Sequence, residues 1–278
     1  MLFSANTLKG WGLQAVDGQI GKIDEFYFDD GSWHIRYLVV DVGNWLKHQR
    51  VLLVPETVTG VSPKEGIIGL SLTKEEVANS PDVLEQAPVS RQMEIALHRH
   101  YDWKPYWDTD PVGVGGFGHG PNAVVTPYDG VKANLEVAED ANALAGPETE
   151  EQAEEMAAEE KELRPSGRLR SSLEVRGYHI RTSDGEIGHV SDFFVDGSLS
   201  HISYLVVDTG NWLSGNKVVI PPTFVHAIHW DGSKVDVALT KDAIRQAPGY
   251  VEDSYPFIDS GFESELQGYY THKHLASL

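Results

Sequence analysis

The sequence predicts a mainly β chain: two small antiparallel barrels, each followed by a short amphipathic helix, joined by a long acidic linker. Three observations predict it. The chain repeats itself, since Tyr37-Leu38-Val39-Val40-Asp41-Val42-Gly43-Asn44-Trp45-Leu46 returns as Tyr204-Leu205-Val206-Val207-Asp208-Thr209-Gly210-Asn211-Trp212-Leu213, 167 residues on. Each copy is a string of short apolar runs punctuated by turn residues within about 75 residues, the pattern of a small closed sheet. Between the copies lies an Ala/Glu-rich stretch with 11 acidic residues and one Lys, a net charge of −10, which is tether composition.

Each element follows from local pattern. At the 167-residue offset Asp17-Gly18 matches Asp184-Gly185, Gly21 matches Gly188 and Phe26 matches Phe193, with no gap from Leu8 to Pro81. Asp-Gly is a tight-hairpin signal, because a type I′ turn needs positive φ at both central positions. Ile20 and Ile23 are out of step with Phe26 and Phe28 unless a residue bulges, and Gly21 and Gly188 fall where the bulge belongs. The next strand places Trp33, Ile35, Tyr37 and Val39 on one face. Its other face starts polar with His34 and Arg36 and turns apolar at Leu38 and Val40, as in a covered strand. Val51–Val54 and Ile67–Leu72 supply further strands, and Thr73-Lys74-Glu75-Glu76 is a capping box opening a short helix. Beyond Pro81 the copies slip by two residues. Met93, Glu94, Leu97, His100 and Tyr101 then align with Phe262, Glu263, Leu266, Tyr269 and Tyr270, the stripe of a helix that lays one face on a barrel.

Composition excludes several function classes. Among 278 residues, 22 Lys plus Arg face 42 Asp plus Glu, a net charge of −20, which repels phosphate backbones and argues against nucleic-acid binding. With no cysteine there are no disulfides, thiolate nucleophiles or Cys-ligated metals. No apolar run approaches the roughly 18 residues of a membrane span, and Met1 to Leu13 lacks the pattern of a signal peptide. The expected location is cytoplasmic.

The Asp-Gly-x-Ile-Gly runs at 17–21 and 184–188, then Phe26 and Phe193, then Tyr-Leu-Val-Val-Asp-x-Gly-Asn-Trp-Leu, resemble the PRC-barrel family. The trailing Pro88-Val89-Ser90-Arg91-Gln92, Tyr101-Asp102-Trp103 and Tyr106-Trp107 add to the likeness. The family includes the cytoplasmic part of the photosynthetic reaction-centre H subunit and ribosome-maturation factors. The resemblance implies a small antiparallel barrel used for assembly or docking. It divides the chain into a first barrel with its helix at 5–107, a Gly/aromatic loop and acidic linker at 108–171, and a second barrel with its helix at 172–278.

Candidate chemistry is sparse. Trp45-Leu46 and Trp212-Leu213 are either partner anchors or plugs folded back into a barrel end, with Gly43 and Gly210 making the turn. Asp41 and Asp208 are expected to accept hydrogen bonds from the backbone N–H groups of the loops that follow. His98 and Asp102 share a helix face, and His272 and His274 lie close together, but a metal site needs three or four ligands. His34 and His201 are expected to be surface histidines. Gly113 to Gly118 follows no parallel strand and has no Gly-Lys-Ser/Thr ending, so it is not a phosphate loop. The expectation is therefore a non-catalytic interaction or assembly module with no cofactor. A unit of about 75 residues buries only about 60% of its unfolded surface, so the two barrels are expected to pair within the chain and to dock an unidentified protein. The alternatives are a photosynthesis-associated protein that docks on a membrane complex, like the H subunit, and a small-molecule or metal sensor.

Overall fold

The computed structural model describes residues 1–43, 50–80, 91–106, 169–210, 217–230, 232–250 and 257–276. The chain is mainly β. In the first copy β1 (Leu2–Ser4) leads into a single helical turn, α1 (Ala5–Leu8), which the Ser4 hydroxyl caps by accepting from Thr7 N at 3.1 Å. Strands β2 (Gly12–Ala15), β3 (Gly18–Asp29), β4 (Ile35–Asp41) and β5 (Arg50–Leu53) follow as neighbours. A 3-10 turn at Pro55–Thr57 then carries the chain to the β6 (Val58–Ser62) and β7 (Ile67–Leu70) hairpin. Helix α2 (Lys74–Ala78) opens on the expected capping box between Thr73 and Glu76, and α3 (Arg91–His100) trails.

The second copy repeats this order with β8 (Leu169–Ser171), α4 (Ser172–Val175), β9 (His179–Thr182), β10 (Gly185–Asp196), β11 (Ile202–Asp208) and β12 (Lys217–Ile220). After a 3-10 turn at Pro222–Phe224 come β13 (Val225–His229), β14 (Lys234–Val237) and α5 (Lys241–Arg245). Two short strands, β15 (Gly249–Tyr250) and β16 (Phe257–Ile258), precede the long helix α6 (Ser260–Ala276).

Two separate sheets result, with strand orders β5-β4-β3-β2-β7-β6 and β13-β14-β9-β10-β11-β12-β15. The expectation of wholly antiparallel, closed barrels is corrected on two counts. β2 runs parallel to β7, and β9 parallel to β14. The 3-10 turns cause this: each takes the chain round a corner without reversing it, so the following hairpin returns beside β2 or β9 in the same sense. Among the described residues no pairing joins the two ends of either path. The long acidic stretch lies outside the described residues.

The copies complete each other's sheets. β1 of the first copy pairs with β10 of the second, Phe3 opposite Val195, and β8 pairs with β3, Arg170 opposite Phe28. Each exchanged strand ends in a serine that reaches a buried carboxylate of the other copy. Ser4 Oγ donates to Asp192 Oδ2 at 2.5 Å, and Asn6 N donates to Asp192 Oδ1 at 3.0 Å. Ser171 Oγ donates to Glu25 in the equivalent place. Burial pushes both carboxyls above their usual range, against the lowering effect of these serine hydroxyls. Midway, Ile35 N donates to Ser200 O at 2.8 Å and Ile202 N to Trp33 O at 2.9 Å, around an antiparallel bridge between His34 and His201. Those rings meet edge-on at 5.1 Å, so His34, exposed as expected, and the half-buried His201 mark the seam between copies. Apolar packing crosses the same seam, where Phe28, stacked on Trp33 of its own copy, meets Phe193 of the other with ring centroids 5.6 Å apart.

Candidate functional site

The region where the copies differ most is the cleft between the sheet and its trailing helix. Its floor is set by a bulge. Ile35 lies opposite Phe28 and Tyr37 opposite Tyr27, so Arg36 is the extra residue on β4, and Ser203 is the extra residue on β11. The bulge breaks the simple alternation expected for this strand. Trp33 and Ile35 join Leu38 and Val40 in the main core, while Tyr37 and Val39 turn toward α3.

In the first copy the cleft is closed. Leu97 of α3 is fully buried with Tyr27, Tyr37, Val39, Leu52 and Val54. Tyr37 Oη donates to Glu94 Oε1 at 3.0 Å and lies 3.0 Å from His98 Nε2. A hydroxyl has one proton, so with that proton on the Glu94 bond the imidazole Nε2–H donates to Tyr37. Tyr106 Oη also donates to Glu94 Oε1, at 2.6 Å. Glu94 is 0% and His98 5% exposed, so these groups are sealed from solvent. The segment that seals them exists because α3 stops sharply. Asp102 sits in the left-handed region at φ 54°, and Trp103 N returns to His98 O at 2.8 Å, a Schellman-type end. The chain then doubles back. Trp103 stacks on Tyr101 at 4.1 Å and meets His98 edge-on, while the Arg36 guanidinium lies 4.2 Å over the Tyr106 ring.

In the second copy the same cleft is open among the described residues. α6 does not stop at the corresponding residue, Thr271, and runs on to Ala276. Leu266 and Tyr270 are buried, and Tyr270 Oη donates to Val219 O at 2.7 Å. Burial also pushes the Tyr204 hydroxyl above its usual range. What remains is a groove of about 340 Å³ lined by Tyr204, Pro221, Thr223, Leu266, Gln267 and Tyr270. Gln267 replaces His98 and is exposed, Glu263 replaces Glu94 and is only half-buried, and Ser203 replaces Arg36.

The turn residues singled out in the sequence do other work than expected in one case. Ala15 pairs with Gly18 and Thr182 with Gly185, so the hairpin loops are Val16-Asp17 and Ser183-Asp184, and neither aspartate has positive φ. The type I′ reading is therefore corrected. Asp17 and Asp184 instead accept from Lys74 N and Lys241 N, each at 2.8 Å, adding a second cap to α2 and α5. That bond holds the Asp184 carboxyl below its usual range. Gly21 and Gly188 adjoin register shifts, and a Cβ on either would collide with the carbonyl of Asp41 or Asp208. Asp41 and Asp208 accept from Gly43 N at 2.8 Å and Gly210 N at 2.7 Å. Trp45, Leu46, Trp212 and Leu213 lie outside the described residues.

Sequence reasoning aligned Glu94 with Glu263 and noted Tyr106 in the family likeness but gave neither a role, and it did not single out the serine–carboxylate pairs. Glu94 was detectable as the acid that recurs at Glu263, and Pro105 just past the helix was a stop signal. The helix-face pairing of His98 with Asp102 does not form, because His98 turns inward to Tyr37 while Asp102 ends the helix. Among the described residues no group of three His, Asp or Glu is placed to hold a metal, and no helix is long and apolar enough to cross a membrane. No curated protein matches the chain. The profile of the PRC-barrel domain matches residues 1–77 and 171–244, more than half of the sequence. With both copies matched and each built on the same strand order, the chain belongs to the PRC-barrel family as a tandem pair.

Proposed function

We propose that this protein is a non-catalytic interaction scaffold, in which two barrel-type units are laced into one body so that their outer surfaces can hold a protein partner. The observation that carries this reading is how the convergent polar side chains are used. Glu94 Oε1, His98 Nε2 and the hydroxyls of Tyr37 and Tyr106 are hydrogen-bonded together beneath an aromatic cover, and Asp192 and Glu25 each take a serine hydroxyl from the other copy. Groups buried and bonded in this way hold the architecture in register, which supports a structural role over a catalytic one. The lacing also supports the reading: exchange of β1 and β8 gives one chain the geometry of a twofold dimer.

The test is affinity purification of the full chain from its native host, with identification and stoichiometry of what accompanies it. The reading expects a protein in fixed ratio to the chain, held in salt and lost on denaturation. A pure chain carrying a bound metal, chromophore or metabolite in stoichiometric amount, with no protein partner, would overturn it.

A further inference from the structure

The two clefts make it possible to infer what the open one is built to hold. In the first copy the cleft's occupant is visible: a short irregular segment, Trp103-Lys104-Pro105-Tyr106, lays Trp103 on the helix face at His98 and Tyr101 and sends the Tyr106 hydroxyl to Glu94. The second copy keeps the receiving side of that arrangement. Leu266 and Tyr270 stand for Leu97 and Tyr101, Tyr204 for Tyr37, and Glu263 for the acceptor Glu94. Among the described residues it lacks the occupant, because α6 continues where α3 ends, and it has Gln267 and Ser203 in place of His98 and Arg36. We propose that the groove between Tyr204 and α6 binds a short segment of a partner protein carrying Trp and, three residues later, Tyr, with a basic residue between them. Charge favours that partner. The Glu263 charge acts on the Tyr204 hydroxyl in the groove, the chain as a whole carries −20, and the resident segment of the first copy has Lys104 between its two aromatic residues. The surface rests on the scaffold reading and gives it a site.

The probe is the acetylated, amidated peptide Trp-Lys-Pro-Tyr, copying residues 103–106, titrated into the isotopically labelled full chain and followed by backbone amide shifts. Saturable shifts confined to Tyr204, Leu266, Gln267 and Thr271 are expected. Trp→Ala in the peptide, or Gln267→Trp filling the groove, should each weaken binding by about tenfold or more. Glu263→Gln should weaken it severalfold. A chain with Trp103→Ala and Tyr106→Ala serves as the internal control, because it uncovers the first cleft, which must then bind the same peptide. No saturable response, an undiminished response in Gln267→Trp, or failure of that control would overturn the proposal. So would groove amides that shift on dilution of the chain alone, which would make a second copy the occupant. Shifts on deletion of residues 107–168 would assign the groove to the chain's own segment, with the same consequence. A partner that co-purifies while the peptide fails would discard the groove and leave the scaffold reading standing. A peptide that binds while no protein co-purifies would do the reverse.

Discussion

Tyr37 and Tyr204 occupy equivalent places on equivalent strands, yet one lies at the bottom of a sealed polar cluster and the other at the edge of an open groove. The difference traces to a few residues. Asp102 in the left-handed region ends α3, Pro105 keeps the chain from resuming a helix, and Arg36 on the bulge gives Tyr106 a cation to stack against. The second copy has Thr271, His274 and Ser203 in those places, and its helix runs straight past the cleft. A duplicated fold thus keeps its core and its seam while the surface that one copy covers with its own segment is, among the described residues, uncovered in the other. The comparison shows how a change in helix termination, together with the replacement of Arg36 by Ser203 and His98 by Gln267, separates a covered contact from an uncovered one.

Truncating the matched leucines should break the symmetry most visibly. Leu97 and Leu266 are both fully buried, but Leu97 lies under the Trp103 cover, so its cavity stays closed, whereas Leu266 borders space that water or neighbours can fill. Leu97→Ala should cost about 4 kcal/mol and Leu266→Ala about 2 kcal/mol in urea unfolding. Equal costs would mean that the two clefts are equally closed. Next come the tyrosines. Tyr37→Phe strips a donor from the buried Glu94 and should cost about 1–3 kcal/mol, while Tyr204→Phe, beside the exposed Gln267, should stay within about 0.5 kcal/mol. Asp102→Gly should stabilise the chain by about 0.5–1 kcal/mol, because glycine accepts the left-handed conformation without strain. Thr271→Gly, inside the continuing helix α6, should destabilise by about the same amount.

The smallest effect concerns the seam. The Asp192 carboxyl is raised above its ordinary value of 3.8 by burial. In the unfolded chain it ionises at that ordinary value, so the native state holds the proton to higher pH. Its contribution is complete below pH 3.8 and is lost as pH rises through the elevated native value. Stability of the wild-type chain should therefore fall relative to Asp192→Asn as pH climbs through that window. Glu25→Gln should show the same sign, with the window opening at 4.5. A difference that is flat with pH would show that neither carboxyl is desolvated at the seam.

Much of the architecture was legible because duplication doubles every signal. The capping box at Thr73, the loop bonds of Asp41 and Asp208, and the buried positions Leu97 and Leu266 all follow from local rules and appear as expected. The exchange of β1 and β8 was not legible. Leu2-Phe3-Ser4 and Leu169-Arg170-Ser171 are alike in length and serve alike as helix entries, so nothing local tells a strand whether to pair with its own copy or the other. The parallel pairing was hidden for a related reason, since a corner turn such as Pro55–Thr57 carries no mark of the direction in which the chain leaves it. The closed cluster was missed because Glu94, His98 and Tyr106 are polar residues whose burial depends on a segment folding back over them.

The account rests on the two copies being one body through reciprocal strands, and cutting the chain tests that most directly. A protease site placed in the acidic stretch between residues 134 and 163, cleaved to completion under native conditions, separates the copies covalently and leaves β1 and β8 attached to their own halves. The account predicts that the two fragments elute together at the mass of the intact chain and part only on denaturation. Fragments that separate under native conditions, each still folded, would contradict it.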